Sequence, residues 1–337
     1  MELSRRTFGL GLLAATLLGS PVGVSAQGAT PGAAPDTGSS AFDGLGLTEL
    51  RVTVTDTGYE GIPAETAAGR YLVTATSTGT MGGGVSFTQL PEGITVADLA
   101  ALAGPPPGDP AASPPAGDMD MEMASPDAEA SPEGGPPPGG PPEWYYTTHL
   151  GGGLYLMPGT TGRVVLDLRP GNYVAWADDP SSAIAPVEMV VTGGGTGTVT
   201  EPVADVTVTE VGDTGGFAFE YSGELVPGPQ VIRIDNPSTQ PHFFLLVRSA
   251  EPITMEELFA LLESPEEPEG IENVLLTGTQ SIGTTQWIEA DLEAGYHIVL
   301  CFVGDPGQGG IPHAFEGMAD ILVVGDVEGT PASSPAA

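Results

Sequence analysis

The sequence is poor in several residue types, and each shortage limits what the protein can be. It has no lysine, one cysteine and four histidines among 337 residues. A single cysteine excludes an internal disulfide, so Cys301 is a buried thiol, an intermolecular link or a ligand. After the N-terminal residues no apolar run is long enough to cross a bilayer, so we expect no membrane-spanning segment.

Positive charge is also scarce. The 8 basic residues stand against 44 acidic ones, which gives a formal net charge of −36. Such a surface repels nucleic acid and anionic lipid, and it attracts cationic partners in a salt-dependent way. The composition therefore predicts no nucleic-acid partner and favours a partner protein with a cationic docking face.

The first 26 residues have the pattern of an export signal. Ser4-Arg5-Arg6-Thr7-Phe8 precedes an apolar run that ends at Leu18, and Val24-Ser25-Ala26 resembles a cleavage site. The paired arginines resemble the twin-arginine class, whereas Gly9 leaves an ordinary secretory signal open. We expect a mature chain that begins near Gln27 and is located in the periplasm, the cell envelope or the extracellular space.

The remaining chain divides by composition. Residues 27–45, 104–142 and 326–337 are rich in Gly, Pro, Ala and acids, and they cannot bury enough apolar surface to fold alone. They predict a flexible leader, a low-complexity insert and a disordered tail. Elsewhere, short β-branched runs are broken by Gly and Pro, which is typical of sandwich strands. The sequence therefore predicts an all-β protein with domains at 46–194 and 203–325.

The two predicted domains are similar to each other. Three segments of the first return in order in the second: Val52–Asp56 as Val206–Glu210, Tyr71–Leu102 as Gln230–Leu261, and Gly159–Tyr173 as Gly283–His297. Each copy predicts one short helix, at Thr95–Leu102 and at Thr254–Leu262, and the second helix begins with a capping box. A repeat of this length predicts two tandem Greek-key β-sandwiches.

Only the second copy carries a set of soft metal ligands. His242 follows an early strand, and Cys301, His313 and Met318 come in order on one late loop. A thiolate and two imidazoles in a trigonal arrangement, with a weak axial thioether, form a blue copper site. This order of residues predicts one mononuclear copper ion in the second copy.

The pattern resembles the cupredoxin (blue type 1 copper) family, and Cys-x11-His-x4-Met is most similar to the longer ligand loops of that family. The resemblance implies two tandem cupredoxin-like domains and one-electron transfer with a redox partner protein. It implies that His242 and His313 are imidazole ligands, Cys301 the thiolate and Met318 the axial ligand. It also implies that Asn236 ties the two ligand loops together by hydrogen bonds.

The first copy lacks this ligand set. The alignment places Gly83 opposite His242 and Ala177 opposite Cys301, and the shortened loop at Ser182–Met189 contains no histidine. If these positions served packing alone, the first copy would keep some of them. We interpret it as a cupredoxin-like domain without metal ligands.

Each candidate ligand also has a plainer interpretation. Cys301 and Met318 could fill a core, and His242 could be a satisfied strand-end histidine. The alternative to an electron carrier is therefore a copper-free or copper-storing cupredoxin-like module that binds other molecules at the cell exterior.

Other residues with soft or titratable side chains lie outside the pattern. His149 and His297 are interpreted as ordinary strand residues. Met119, Met121 and Met123 could capture Cu(I), but the low-complexity sequence around them favours an acidic insert without a fixed site.

The sequence offers few residues for catalysis. A trinuclear copper cluster or a separate catalytic copper needs more histidines than His149 and His297 supply. There is also no Gly-x-Ser-x-Gly, His-Glu-x-x-His or phosphate-binding glycine loop. We therefore expect that the protein is not an enzyme.

Overall fold

The structure, a computed structural model, describes residues 40–102, 142–178, 182–195, 199–249, 251–262 and 270–326. The predicted export signal, most of the leader and nearly all of the low-complexity insert lie outside these ranges, as do Met119, Met121, Met123 and residues 327–337. Among the described residues no helix is long and apolar enough to cross a membrane.

Most of the described chain is β-strand, so the predicted all-β fold class is confirmed. The first half contains β1 (Thr48–Val54), β2 (Tyr59–Glu60), β3 (Glu65–Ser77), β4 (Gly83–Gln89), β5 (Leu150–Leu156), β6 (Thr161–Leu168), β7 (Gly171–Trp176) and β8 (Val187–Gly195). The second half contains β9 (Val206–Asp213), β10 (Gly216–Ser222), β11 (Gly228–Asn236), β12 (Leu245–Ser249), β13 (Ile271–Leu276), β14 (Thr284–Leu292), β15 (Gly295–Leu300), β16 (Gly304–Asp305), β17 (Ile311–Pro312) and β18 (Ala319–Val324).

Three short α-helices accompany the strands: α1 (Val96–Leu102), α2 (Glu143–Thr147) and α3 (Met255–Leu262). The Thr254 amide donates to the Glu257 carboxylate at 2.9 Å, and the Thr254 hydroxyl accepts from the Glu257 amide at 3.3 Å, which is the predicted capping box. Helix α2 was not predicted, so the expectation of one helix in each half is wrong for the first half. It forms because buried Tyr145 anchors a short aromatic segment that has little helical periodicity of its own.

The strands of the two halves pair in the same order. In the first half β1 pairs in parallel with β3, which pairs antiparallel with β6. In the second half β9 pairs in parallel with β11, which pairs antiparallel with β14. The remaining strands of the first half pair in the order β5-β4-β7-β8, and their counterparts in the second half pair in the order β13-β12-β15-β18. The internal similarity of the sequence therefore corresponds to a similarity of strand pairing.

The two halves are nevertheless joined, because one sheet contains strands of both. Strand β14 pairs antiparallel with β6, with Trp287 opposite Val165, and this pairing completes a sheet of twelve strands. One hydrophobic cluster also extends through both halves, and it includes Val54 and Phe87 as well as Cys301 and Met318. Strand pairing and core packing thus place the candidate ligands in a core that the first half shares.

Candidate metal centre

The four predicted ligands lie on four segments of the second half, each next to the end of a strand. His242 forms an isolated bridge with Gln280 between β11 and β12, and Cys301 directly follows β15. His313 begins a one-turn 3₁₀-helix, and Met318 directly precedes β18. Strand ends hold all four segments, so the backbone geometry of the site is set by the sheet.

The structure brings His242, Cys301 and His313 together. The Cys301 Sγ lies 3.7 Å from Nδ1 of His242 and 3.8 Å from Nδ1 of His313, and the two Nδ1 atoms are 2.9 Å apart. All three side chains are 0% exposed. In the described part of the chain, no other group of three or more His, Cys, Asp or Glu residues has its ligand atoms this close together.

Met318 is fixed beside this cluster by its backbone. Its carbonyl oxygen accepts from the Cys301 amide at 3.2 Å, and its amide donates to the His313 carbonyl at 2.9 Å. Its side chain is fully buried in the same cluster as Cys301. The preceding Gly317 has φ +109°, and a Cβ there would lie 2.6 Å from the Phe217 carbonyl oxygen, so this tight turn needs glycine.

The ring of His242 is oriented by a serine. Ser238 Oγ lies 2.7 Å from Asn236 Oδ1 and 2.7 Å from His242 Nε2. Asn236 Oδ1 and the Gln240 carbonyl oxygen, 3.0 Å from the same hydroxyl, can only accept. The one serine proton therefore lies on one of these two contacts, and Nε2–H of His242 donates to the serine. Nδ1 of His242 therefore carries a lone pair.

A glutamine orients His313 in the same way. Gln240 Nε2 donates to Asp305 Oδ1 at 2.7 Å, so the amide oxygen of Gln240 faces His313 Nε2, 3.0 Å away. That oxygen accepts the Nε2–H of His313. The Nδ1 of His313 consequently also carries a lone pair, and the two lone pairs face each other.

The electrostatics keep the cluster uncharged. Burial lowers the pKa of His313 to about 4, and burial together with the neighbouring His313 lowers the pKa of His242 to about 2. Burial also raises the pKa of the Cys301 thiol. Two imidazole lone pairs and a sulfur thus converge in an apolar core, which is an arrangement that a cation stabilises.

The donor set fits copper. A thiolate with two imidazoles is a combination that soft and borderline metals prefer, and the Met318 thioether is buried in the same core. A coordinating thiol loses its proton outright. The Phe217 ring packs on both imidazoles, with centroid distances of 4.1 Å to His313 and 5.1 Å to His242. This packing restricts ring rotation and solvent access at the cluster.

Residues 278–280 connect His242 to the first half through hydrogen bonds. The His242 amide donates to the Gln280 carbonyl at 3.1 Å, and the Gln280 amide donates to the His242 carbonyl at 2.8 Å. On the other side of this segment, the Gly278 amide donates to the Gly153 carbonyl and the Thr279 amide to Asp178 Oδ2, both at 2.9 Å. The first half, which lacks the ligand set, therefore helps to position His242.

The corresponding region of the first half has no space for ligands. A Cβ on Gly83, the position aligned with His242, would lie 2.5 Å from Ile184 Cδ1 and 2.8 Å from Val54 Cγ1. Ile184 belongs to the shortened loop, and Ala177 follows β7 as Cys301 follows β15. Apolar side chains thus occupy the space next to Gly83.

Sequence reasoning missed several residues of the site. Asn236 does not join the two ligand-bearing segments, because its amide donates to the carbonyl oxygens of Gln240 and Gln280. Gln240 makes that connection instead, through His313 and Asp305. Its position two residues before His242 was the only signal in the sequence.

His149 and His297 are both buried and lie outside the cluster.

No protein-family model matches the sequence. No curated protein matches it either. Solved structures do match, and auracyanins, a multicopper oxidase and a copper nitrite reductase are among them.

Two of these structures are auracyanins. A reduced auracyanin from Roseiflexus castenholzii is 18% identical, matches 36% of this chain and 98% of its own, and has a TM-score of 0.24. Auracyanin A from Chloroflexus aurantiacus, described as a blue copper protein, is 16% identical, matches 35% of this chain and 98% of its own, and has a TM-score of 0.22. Both TM-scores are low, so these likenesses do not by themselves indicate a function.

Other matching structures are longer. A copper nitrite reductase from Nitrosomonas europaea is 8% identical, matches 86% of this chain and 98% of its own, and has a TM-score of 0.21. A multicopper oxidase is 10% identical, matches 82% of this chain and 89% of its own, and has the same TM-score. The predicted resemblance to the cupredoxin family is confirmed at the site, where His242, Cys301 and His313 come together.

The expectation that the protein is not an enzyme requires correction. The matching structures include a multicopper oxidase and copper nitrite reductases, which are enzymes. The expectation was drawn from the number of histidines left after His242 and His313 were assigned. That number of histidines does not by itself exclude catalysis.

Proposed function

We propose that this protein binds one type 1 copper ion in its second half and transfers single electrons through it. The observation that carries the proposal is the convergence of two Nδ1 lone pairs and the Cys301 sulfur in a fully buried cluster. Copper bound there would supply one-electron chemistry by alternating between Cu(I) and Cu(II).

The side chains have distinct roles in this proposal. His242, His313 and Cys301 hold the ion, and Met318 is the weak axial ligand. Ser238 and Gln240 accept the Nε2–H of the two imidazoles, so the rings are oriented before the ion arrives. Because the core excludes water and resists rearrangement, the ligand positions change little with oxidation state.

The two halves differ in role as well. We propose that the chain contains two tandem cupredoxin-like Greek-key units, 46–194 and 203–325, of which only the second binds metal. The repeated strand order supports this division. The packed space beside Gly83 supports a structural role for the first unit.

The decisive experiment is metal analysis of the purified mature protein together with its visible spectrum. We expect about one copper per chain and an intense thiolate-to-copper band, since type 1 sites hold a single ion on a cysteine thiolate. Cys301→Ser abolishes the band, whereas replacement of Met119, Met121 and Met123 by Leu leaves it unchanged. A copper-loaded protein that keeps its spectrum in Cys301→Ser contradicts the proposed ligand set.

We further propose that the protein is exported and accepts or donates electrons to a partner with a cationic docking face. Residues 1–26 support export, and the net charge of −36 supports a cationic partner. Mature protein should be recovered outside the cytoplasm with an N-terminus near Gln27. If export is unchanged after Arg5 and Arg6 are replaced by Lys, the general secretory route applies instead of the twin-arginine route.

A further inference from the structure

A second candidate binding site lies where the two halves meet. A cavity of about 180 Å³ is lined by residues of both halves, among them Arg70, His149, Arg169, Arg233 and Trp287. None of the four candidate copper ligands lines it. It is therefore a separate feature from the metal centre.

The cavity concentrates positive charge in a protein that has very little. Six arginines lie in the described residues, and three of them line this one cavity. In a chain with 44 acidic residues, arginines are expected to be ion-paired, and five of the six are. The exception is Arg169, which makes no ion pair within the described ranges. A free guanidinium at a concave surface is a common feature of sites for carboxylates and oxyanions.

The acids around the cavity are paired with the other two arginines. Asp167 accepts two hydrogen bonds from Arg70, at 3.0 and 2.9 Å. Arg233 donates to Glu201 at 2.7 Å and to both carboxylate oxygens of Asp235, at 3.0 and 2.9 Å. These pairs hold Arg70 and Arg233 in place, whereas Arg169 makes no ion pair of its own within the described residues.

The indole of Trp287 contacts two guanidinium groups of the lining. The guanidinium carbon of Arg70 lies 4.5 Å from the ring centroid, and that of Arg233 lies 5.4 Å from it. Contacts of this kind fix the arginines by cation–π attraction. Trp287 belongs to β14, which pairs with β6 of the first half, so the wall of the cavity is part of the sheet that joins the halves.

His149 adds a buried polar group whose ring nitrogens are poorly satisfied. Only 8% of its surface is exposed, and neither ring nitrogen makes a hydrogen bond of normal geometry among the described residues. Burial, followed by the charge of Arg169, lowers the pKa of His149 to about 4, while the backbone and the charge of Asp167 oppose this shift. A buried imidazole with poor hydrogen bonds is costly, and this cost falls when an acceptor comes within reach.

From these observations we propose that the cavity binds a small anion, a carboxylate or an inorganic oxyanion, with Arg169 as its principal charged contact. Arg70 and Arg233 shape the site from the Trp287 side, and His149 lies beneath it. Because the anion contacts both halves, its binding strengthens their association. Anion binding at this cavity does not require copper, because no candidate copper ligand lines it.

The test is calorimetric titration of the intact protein with sodium phosphate and, separately, with sodium acetate. Ionic strength is held constant with sodium chloride, so that general screening of the acidic surface does not change. We expect saturable binding of at least one of the two anions, and the comparison distinguishes an oxyanion from a carboxylate. Arg169→Gln should weaken this binding at least about tenfold, since a charge-assisted hydrogen bond is lost.

Arg51→Gln is the matched control, because Arg51 is exposed, paired with Glu49 and absent from the cavity lining. It should bind as the unaltered protein does. The ring resonances of His149 should shift on saturation, whereas those of His297 should not. Absence of saturable binding for both anions, or equal affinities in Arg169→Gln and Arg51→Gln, overturns the proposal.

Discussion

At the scale of single residues, the orientation of the two imidazoles depends on neutral partners. Ser238 and the amide oxygen of Gln240 accept from the two Nε2–H groups. The lowered pKa values of His242 and His313 mean that protons do not compete for their Nδ1 atoms near neutral pH. The proposed ligands are thus deprotonated and oriented before an ion binds, apart from the thiol.

The axial position gives a prediction about redox potential. In the copper-loaded protein, Met318→Leu should keep the intense visible band and raise the redox potential. Loss of a sulfur donor in an apolar core disfavours the more highly charged oxidised form. Potentiometric titration followed at the band measures the shift.

Met189→Leu is the control for that variant, because Met189 is the fully buried methionine of the first half. It should leave the potential unchanged. Equal shifts of the redox potential in the two variants would mean that Met318 only fills the core and is not an axial ligand.

A second residue-scale feature is the buried carboxyl of Glu210. Its Oε2 accepts from Gln280 Nε2 at 2.8 Å, whereas Oε1 of each residue lacks a partner within the described chain. Burial raises the pKa of Glu210 to about 8. Because burial disfavours the charged carboxylate, the folded protein favours the protonated form of Glu210.

This carboxyl gives a prediction about stability and pH. The folded state of the metal-free protein holds the Glu210 proton up to about pH 8, while the unfolded state loses it near pH 4.5. Stability is therefore lost as pH rises through this window, by at most about 1.4 kcal/mol per pH unit. Glu210→Gln should remove that loss, so its free energy of unfolding should exceed that of the unaltered protein increasingly from pH 5 to pH 8, as urea titrations measure.

Glu220→Gln serves as the control, because Glu220 is an exposed glutamate on the neighbouring strand β10. Its effect should be the same at every pH. A constant difference for Glu210→Gln would show that Glu210 is ionised in the folded protein throughout.

At the scale of elements, the two halves use equivalent strands for different purposes. In the second half the strand ends carry His242 and Cys301, and in the first half they carry Gly83 and Ala177. The loop before β8 places Ile184 where a side chain on Gly83 would point. The same strand order therefore supports a polar cluster in one half and close apolar packing in the other.

This packing gives a prediction about stability. Gly83→Ala should lower the free energy of unfolding by about 1–3 kcal/mol, because the added methyl overlaps Ile184 Cδ1 and Val54 Cγ1. The cost should be smaller when Ile184→Val has removed Cδ1. Gly58→Ala, where no atom lies within 4 Å of the added Cβ, is the matched control and should be near neutral. A cost for Gly83→Ala that is unaffected by Ile184→Val would contradict the assigned contact.

At the scale of the whole molecule, charge is the dominant feature. The net charge is −36, and only five arginines form ion pairs in the described residues. Repulsion among acidic groups therefore exceeds attraction, and it opposes the compact state.

Salt should accordingly stabilise the protein. When sodium chloride increases from about 0.01 M to about 1 M, the Debye length falls from about 30 Å to about 3 Å. Screening then removes more repulsion than attraction, so the midpoint of thermal unfolding should rise. An uncharged osmolyte such as sucrose controls for effects unrelated to charge. A midpoint that falls with salt would mean that ion pairs such as Arg70–Asp167 outweigh the repulsion.

Much of this organisation was readable in the sequence, because it depends on local patterns. Short β-branched runs between glycines and prolines predict strands, and Thr254 with Glu257 predicts the start of α3. The order His242, Cys301, His313, Met318 was also visible, since ligand chemistry depends on residue type. The helix at Glu143–Thr147 was not readable, because the burial of Tyr145 rather than helical periodicity stabilises it.

Only the tertiary structure decided how these parts act on one another. Gln240 reaches His313 and Asp305 across 73 and 65 positions of the chain, and no local pattern encodes such contacts. The pairing of β14 with β6 likewise depends on two surfaces that meet only after folding, and it creates the cavity beside Trp287. The sequence alone determined which residues can bind a metal or an anion, because donor chemistry is a property of the side chain. Folding decided which of them meet, because distance and burial depend on the whole chain.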